Sequence, residues 1–167
     1  MLEVNQVYKT FNPGTVNEKR ALNGVNLTLK DGDFVTVIGG NGAGKSTLLN
    51  LVAGVYTADQ GSIVIDGQDV TRLPEHKRAA FIGRVFQDPM MGTAATMQIE
   101  ENLALAARRG QKRTLRVGIN KREREEYREL LKLLDLGLES RLTSKVGLLS
   151  GGQRQALTLL MATLKKP

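Results

Sequence analysis

Apolar and polar positions alternate weakly from Val4 to Phe11 and more regularly from Val25 to Leu29, which predicts two half-buried strands. Asp31-Gly32 is a turn signal, and Phe34-Val35-Thr36-Val37-Ile38 after it is a short, nearly continuous apolar run that reads as a buried strand. These first strands are expected to form a meander. The pattern then changes period. Leu48, Leu49 and Val52 have helix-like spacing, so a helix is predicted over Lys45–Ala53, with Gly54 as its terminator. Gly61 to Gly67 reads as a strand ending in a turn, and Ile82 to Phe86 as a further strand. Beyond Met97 the chain becomes helical, with helices predicted over 97–109, 123–136 and 153–164. In the second of these Tyr127, Leu130, Leu131, Leu134 and Leu138 share one face, and Gly137 closes or kinks the element. There is no internal repeat.

Composition narrows the picture only a little. The chain has 167 residues, enough for one domain with its own core, and 41% hydrophobic and 25% charged residues are ordinary globular values. With no cysteine it has neither disulfides nor a thiolate metal site. No signal peptide is recognised at the N-terminus. No apolar run approaches the roughly 20 residues that span a bilayer, so any work at a membrane is expected to go through a partner. The net charge of +7 is concentrated: nine basic residues (Arg108, Arg109, Lys112, Arg113, Arg116, Lys121, Arg122, Arg124, Arg128) stand against three acids (Glu123, Glu125, Glu126) in one segment. Such a run can meet an anionic partner, lipid or nucleic acid. The reading preferred here is a solvated helix face and loop.

Residues 39–47 read GGNGAGKST, a match to G-x-x-x-x-G-K-[ST], set between a predicted strand and a predicted helix. Gly39, Gly40, Asn41, Gly42, Ala43 and Gly44 form a loop whose glycines let successive N–H groups turn into one hollow. The following helix adds its free N–H groups and the positive end of its dipole. Lys45 brings a mobile charge to the β- and γ-phosphates, Ser46 a hydroxyl for Mg2+, and Thr47 a donor for a phosphate nearer the ribose. The motif by itself points to a nucleoside triphosphate with Mg2+.

Residues 149–153 read Leu-Ser-Gly-Gly-Gln, and here the chain resembles the ATP-binding cassette (ABC) ATPases, whose signature is LSGGQ. The resemblance covers essentially the whole chain. It implies that Ser150, Gly151, Gly152 and Gln153 act in trans, at the γ-phosphate of ATP held by the other subunit of a head-to-tail homodimer. Val85-Phe86-Gln87-Asp88-Pro89 is similar to the family's Q-loop, which implies that Gln87 reaches Mg2+ and senses the γ-phosphate. Phe11 falls where the family places an aromatic that stacks on adenine, with Tyr8 as the alternative. Thr96 to Leu105 looks like the opening of the family's helical subdomain.

The family continues past the signature helix with a Walker B strand ending in Asp-Glu, a D-loop and a switch histidine, whereas this sequence stops at Lys165-Lys166-Pro167. No catalytic residue is therefore assigned, because the catalytic Glu and switch His are absent from the stretch. Losing a general base typically costs about 10²–10⁴-fold in rate. The stretch is expected to be part of a longer chain and poorly stable alone, since the missing strand belongs beside Phe34–Ile38. Ile63-Val64-Ile65-Asp66 imitates a Walker B end, but Gly67 follows where Glu should be, so Asp66 is read as a turn residue. His76, the single histidine, comes too early for the switch and is read as a loop residue.

The expected fold class is α/β, a P-loop NTPase (RecA-like) core with an N-terminal antiparallel β subdomain, an inserted α-helical subdomain, and the C-terminal part of the core sheet missing. Residues 1–92 are expected to form the core and β subdomain, 93–148 the helical subdomain, and 149–167 the signature and its helix. The resemblance implies an energy-coupling ATPase subunit of a transporter, similar to bacterial importer subunits and lying peripherally on the cytoplasmic face of the membrane. Its implied partners are transmembrane permease subunits and an extracytoplasmic substrate-binding protein, with a faint pointer to amino acids as cargo. The alternatives are an ABC-type ATPase acting on nucleic acid or ribosomes, and a non-hydrolysing nucleotide-binding fragment. The interval between loop and signature, lacking zinc cysteines and a long coiled coil, weighs against nucleic acid.

Overall fold

A computed structural model describes residues 1–111 and 118–165. The chain divides into two compact units, Met1–Phe81 and Ile82–Pro167.

The first unit is built on a four-stranded antiparallel sheet. Strand β1 (Leu2–Phe11) lies between β2 (Lys19–Leu29) and β3 (Gln60–Ile65), and β4 (Gln68–Asp69) closes the order β2-β1-β3-β4. The meander expected from sequence is only half present: β1 and β2 pair, but the other edge of β1 is taken by β3. The weak alternation in β1 has a local cause. Gln6 adopts φ 48°, the register slips on both sides of it, and buried Val4 and Val7 are three positions apart instead of two. Gly61 makes this bulge possible, since a Cβ there would sit 2.2 Å from the Gln6 carbonyl oxygen. Asp66 (φ 49°) and Gly67 (φ 76°) form the two-residue turn between β3 and β4, the conformation a type I′ hairpin requires. The reading of Asp66 as a turn residue holds.

Helix α1 (Lys45–Ala53) has the bounds the periodicity predicts and ends on Gly54 in the left-handed region, φ 85°. The core of the unit gathers Val4, Val7, Leu22, Leu48, Leu51, Ala53, Ile63, Ile65 and Val70. Arg78 is buried with them. It belongs to α2 (Glu75–Arg78), a single turn that also carries exposed His76, so the histidine is helical and not in a loop. The Arg78 fork donates to the carbonyls of Leu51 (2.6 Å) and Val52 (3.0 Å) at the end of α1, and to those of Thr71 (2.9 Å) and Leu73 (2.8 Å). Burial lowers its pKa while Asp69 opposes the shift. A guanidinium fits here because carbonyls at a helix C-terminus are the negative end of the dipole.

Two predicted strands do not form. Phe34–Ile38 and Ile82–Phe86 have no ladder partner among the described residues. Phe34 is 92% and Ile38 91% exposed. A run that is apolar on both faces suits a strand flanked by neighbours on both sides, and backbone groups without such neighbours do not make a sheet.

The second unit is helical. Its elements are α3 (Ile99–Ala107), α4 (Lys121–Lys132) and α5 (Gly151–Thr163), with short 3-10 turns at Pro89–Gly92 before α3 and at Leu138–Ser140 and Val146–Leu148 between α4 and α5. Ile99, Leu103, Tyr127, Leu131, Leu138, Leu142, Val146, Leu149 and Leu157 form its core, and Leu130 and Leu134 pack against them, so the predicted apolar face is the buried one. Buried Glu100 of α3 receives a two-pronged ion pair from Arg124 of α4, at 2.6 and 2.8 Å. Asn120 caps α4 in a capping box with Glu123. The Asn120 amide and then the Arg108 guanidinium hold the Glu123 carboxyl below the usual range. The basic segment is thus largely internally paired where it is described: Arg108 with Glu123, Arg122 with Glu126, Arg124 with Glu100, Arg128 with Glu125. Lys112, Arg113 and Arg116 lie outside the described residues. Among the described residues no helix is long and apolar enough to cross a membrane.

Candidate functional site

In the first unit the glycine loop runs directly into α1. Gly42 (φ 82°) and Gly44 (φ 88°) are left-handed, and Gly44 is the N-cap with no side-chain cap. Its position admits no other residue: a Cβ would lie 2.5 Å from the Ala21 carbonyl oxygen and 2.9 Å from Leu22 Cδ2. The loop is therefore seated on β2, and the first N–H groups of the helix are left without a side chain from the protein to satisfy them. Lys45 folds back over the loop, its ammonium donating to the carbonyls of Gly39 (2.6 Å) and Gly40 (2.8 Å). Ser46 is exposed in the first turn of α1 and Thr47 half-buried behind it. An anion with several acceptor oxygens suits this donor set: uncapped amides, a helix N-terminus and an ammonium held by neutral carbonyls that a stronger acceptor can replace.

Phe11 ends β1 in the same unit. Its ring meets that of Tyr56 edge to face, with centroids 5.3 Å apart, and the Lys9 ammonium lies over it at 5.7 Å. Lys9 is ion-paired with Asp59 at 2.7 Å. Tyr8, the alternative aromatic, instead places its hydroxyl 3.5 Å from Gln6 Oε1 and packs over Gly24. The loop and Phe11 were legible in the sequence, but three neighbours carry no motif. Lys19 pairs with Phe11 across the β1–β2 ladder, and its ammonium is 3.3 Å from where a Gly42 Cβ would be. Tyr56 and Arg78 are the others. Only an aromatic just after a helix terminator hinted at the first of these two, and nothing at a buried arginine.

In the second unit Gln87 is exposed, directly before the turn that Asp88 caps by accepting from the Met90 amide at 2.8 Å. The stretch around it is pressed onto α5 at two points. A Cβ on Gly83 would meet the Ala162 carbonyl oxygen at 2.7 Å, and one on Gly92 would meet Thr158 Cγ2 at 2.7 Å. The signature begins α5. Ser150 accepts from the Gln153 amide (3.3 Å) and Gln153 Oε1 accepts from the Ser150 amide (3.1 Å), a reciprocal cap. Gln153 also donates to the Leu136 carbonyl at 3.3 Å. Buried Arg154 ties the helix to the preceding turn through the carbonyls of Val146 and Gly147, both at 3.1 Å. Gly151 and Gly152 are exposed, and a Cβ on either would meet nothing within 4 Å. Two glycines in a helix cost about 1 kcal/mol each relative to alanine, and no internal contact here requires them.

Known proteins share this arrangement. The family model described as ABC transporter matches residues 22–167. The tyrosine transport ATP-binding protein of Clostridioides difficile is 40% identical over 172 residues, covering all of this chain and 66% of that protein. The spermidine/putrescine import ATP-binding protein PotA of Haemophilus influenzae is 34% identical, covering all of this chain and 40% of that protein. The chain thus spans less than two thirds of the length of these relatives. A solved dimeric structure of the ATP-binding cassette MJ0796, in a post-hydrolysis state bound to ADP and Pi, has a TM-score of 0.80 at 29% identity over all of this chain and 71% of that one. The fold is accordingly the α/β, P-loop NTPase fold of such cassettes, with an antiparallel sheet at its N-terminal end and helices after it. With a glycine loop seated on β2 ahead of a reciprocally capped LSGGQ helix, and with a family model matching most of its length, the chain belongs to the ABC transporter family.

Proposed function

We propose that this chain binds Mg-ATP and is the nucleotide-driven part of an energy-coupling ATPase subunit of an importer. The observation that carries the reading is Gly44, which cannot bear a side chain against β2 and leaves the N-terminus of α1 uncapped beside the Lys45 ammonium. In this reading the amides of Gly40, Asn41, Gly42, Ala43 and Gly44 surround the phosphates and Lys45 leaves the loop carbonyls for the β- and γ-phosphates. Ser46 offers its hydroxyl to Mg2+, Thr47 takes a phosphate oxygen, and Phe11 stacks on adenine. When bound, Mg-ATP supplies the free energy of phosphoryl transfer to water. Ser150, Gly151, Gly152 and Gln153 serve the ATP of a second copy in a head-to-tail homodimer, a role supported by two open glycines with no internal use. Functionally the chain divides into 1–92, 93–148 and 149–167.

The partners in this reading are transmembrane permease subunits and an extracytoplasmic substrate-binding protein, with the subunit held at the cytoplasmic face of the membrane. The relatives' names speak of tyrosine in one case and of spermidine and putrescine in the other. The higher identity to the first favours an amino acid as cargo.

The test is a thermal melt of the chain with and without Mg-ATP. Ligand at 100 times its dissociation constant adds about 2.7 kcal/mol to a folded state that alone binds it, which raises Tm by roughly 5–11 °C for a domain of this size. Lys45→Ala is expected to remove that rise while leaving the ligand-free melt in place. A rise that persists in Lys45→Ala rules out the cradle as the site.

A further inference from the structure

Phe11 is the last residue of β1, and the backbone turns away at once, Asn12 having φ 49°. A strand end holds a side chain loosely, yet a platform for a planar base needs a ring held in one orientation, because a ring free to rotate pays its ordering entropy on binding. What touches the Phe11 ring is therefore decisive. Tyr56 meets it at an interplanar angle of 78°, with centroids 5.3 Å apart. An edge-to-face pair occupies at most one face of the phenylalanine, and such pairs contribute beyond their buried area.

Tyr56 is itself fastened. Gly54 terminates α1, and the amides of Val55 and Tyr56 both donate to the Asn50 carbonyl, at 2.9 and 3.3 Å, so the tyrosine backbone is tied to the last turn of the helix. Arg78 clamps that same turn through the Leu51 and Val52 carbonyls. A second tie runs alongside. Asp59 accepts from Lys9 Nζ at 2.7 Å and from the Thr10 amide at 2.6 Å, and its own amide donates to the Tyr8 carbonyl at 3.0 Å. The end of β1 is thus clasped to the 56–59 segment by Asp59 as well as by the ring pair. The glycine loop stands at the other end of α1. Nine helical residues are a rigid spacer of about 13–14 Å.

We propose that Tyr56 is a positioning residue of the nucleotide-base site: its ring holds Phe11 in a base-accepting orientation, and its attachment to the last turn of α1 fixes the separation between base platform and phosphate cradle. The proposal rests on the reading of Phe11 and the glycine loop given above. It assigns Tyr56 to base affinity and not to phosphate affinity, and it makes the phenol ring, rather than its hydroxyl, the working part.

The experiment compares binding of Mg-ATP with binding of inorganic tripolyphosphate, which has the phosphates and no base, by calorimetry on the 167-residue chain. Tyr56→Ala is expected to weaken Mg-ATP binding roughly three- to tenfold, the size of an aromatic pair's contribution, and to leave tripolyphosphate binding unchanged. Tyr56→Phe restores wild-type affinity. The double variant Phe11→Ala/Tyr56→Ala binds Mg-ATP no more weakly than Phe11→Ala alone, because the tyrosine acts through the phenylalanine. If Tyr56→Ala does not fold, Tyr56→Leu, which keeps apolar bulk without an aromatic ring, carries the same comparison. The chain has no tryptophan, so Phe11→Trp adds a single reporter at the ring, and Tyr56→Ala in that background is expected to lower its anisotropy before any nucleotide is present. Equal losses for ATP and tripolyphosphate, additive losses in the double variant, or no loss in Tyr56→Ala each overturn the proposal. The underlying reading fails in a different way, with Phe11→Ala leaving Mg-ATP affinity untouched or with wild type and Lys45→Ala binding alike.

Discussion

Two helices in this chain begin in opposite ways. α1 starts on Gly44, a left-handed residue with no side chain to offer its first amides, while α5 starts on Ser150, whose cap with Gln153 is reciprocal. Both starts carry glycines, but for different reasons. At α1 the glycine is forced from inside, because the Ala21 carbonyl leaves no room for a Cβ. At α5 Gly151 and Gly152 face open space and are not needed by the fold. An uncapped start asks for a ligand to satisfy it. A capped start with bare glycines is stable by itself and presents a smooth surface to something outside. The same residue type thus marks an internal constraint in one place and an external one in the other.

The comparison breaks most sharply at Gly44. Gly44→Ala combines a left-handed φ with a collision against backbone, and is expected to cost about 3 kcal/mol, read as a fall in Tm of roughly 6–12 °C, together with loss of the Mg-ATP shift. If it melts like wild type, the seating of the loop on β2 is not what holds the cradle. Ser150→Ala removes only a cap, and the expected loss is about 1 kcal/mol, measurable in denaturant titration. Gly151→Ala and Gly152→Ala should go the other way, each stabilising the chain by roughly 0.5–1 kcal/mol. Destabilisation by either would mean that an internal contact does need the glycine. The smallest effect lies at the Lys9–Asp59 tie. Lys9 first, then the Thr10 amide, hold the Asp59 carboxyl below its usual range. Its contribution is present above the unfolded carboxylate pKa of about 3.9 and is lost as pH falls through the lower folded value. The Tm difference between wild type and Asp59→Asn should therefore be constant above about pH 5 and shrink under more acid conditions.

The bounds of α1 and the buried face of α4 were legible because each depends on residues within a few positions of one another. Periodicity and a terminal glycine are local signals. The glycine loop and the signature were legible for the same reason. Phe34–Ile38 and Ile82–Phe86 read as strands and are not, since a strand exists only when another lies beside it, and pairing is a property of the sheet. The β1 register was hidden as well, because the bulge at Gln6 depends on Gly61, far away in sequence.

What the sequence by itself determined is the chemistry on offer: a phosphate-binding loop, a second glycine-bearing helix start, and the family that joins them in that order. What only the tertiary structure decided is which remote residues complete each feature. Tyr56 against Phe11, Lys19 over Gly42, and Arg78 at the end of α1 are contacts between elements, made by side chains whose identity says little until the chain has folded back on itself. Local backbone preferences are written residue by residue, whereas burial and close approach arise only when distant segments compete for the same space.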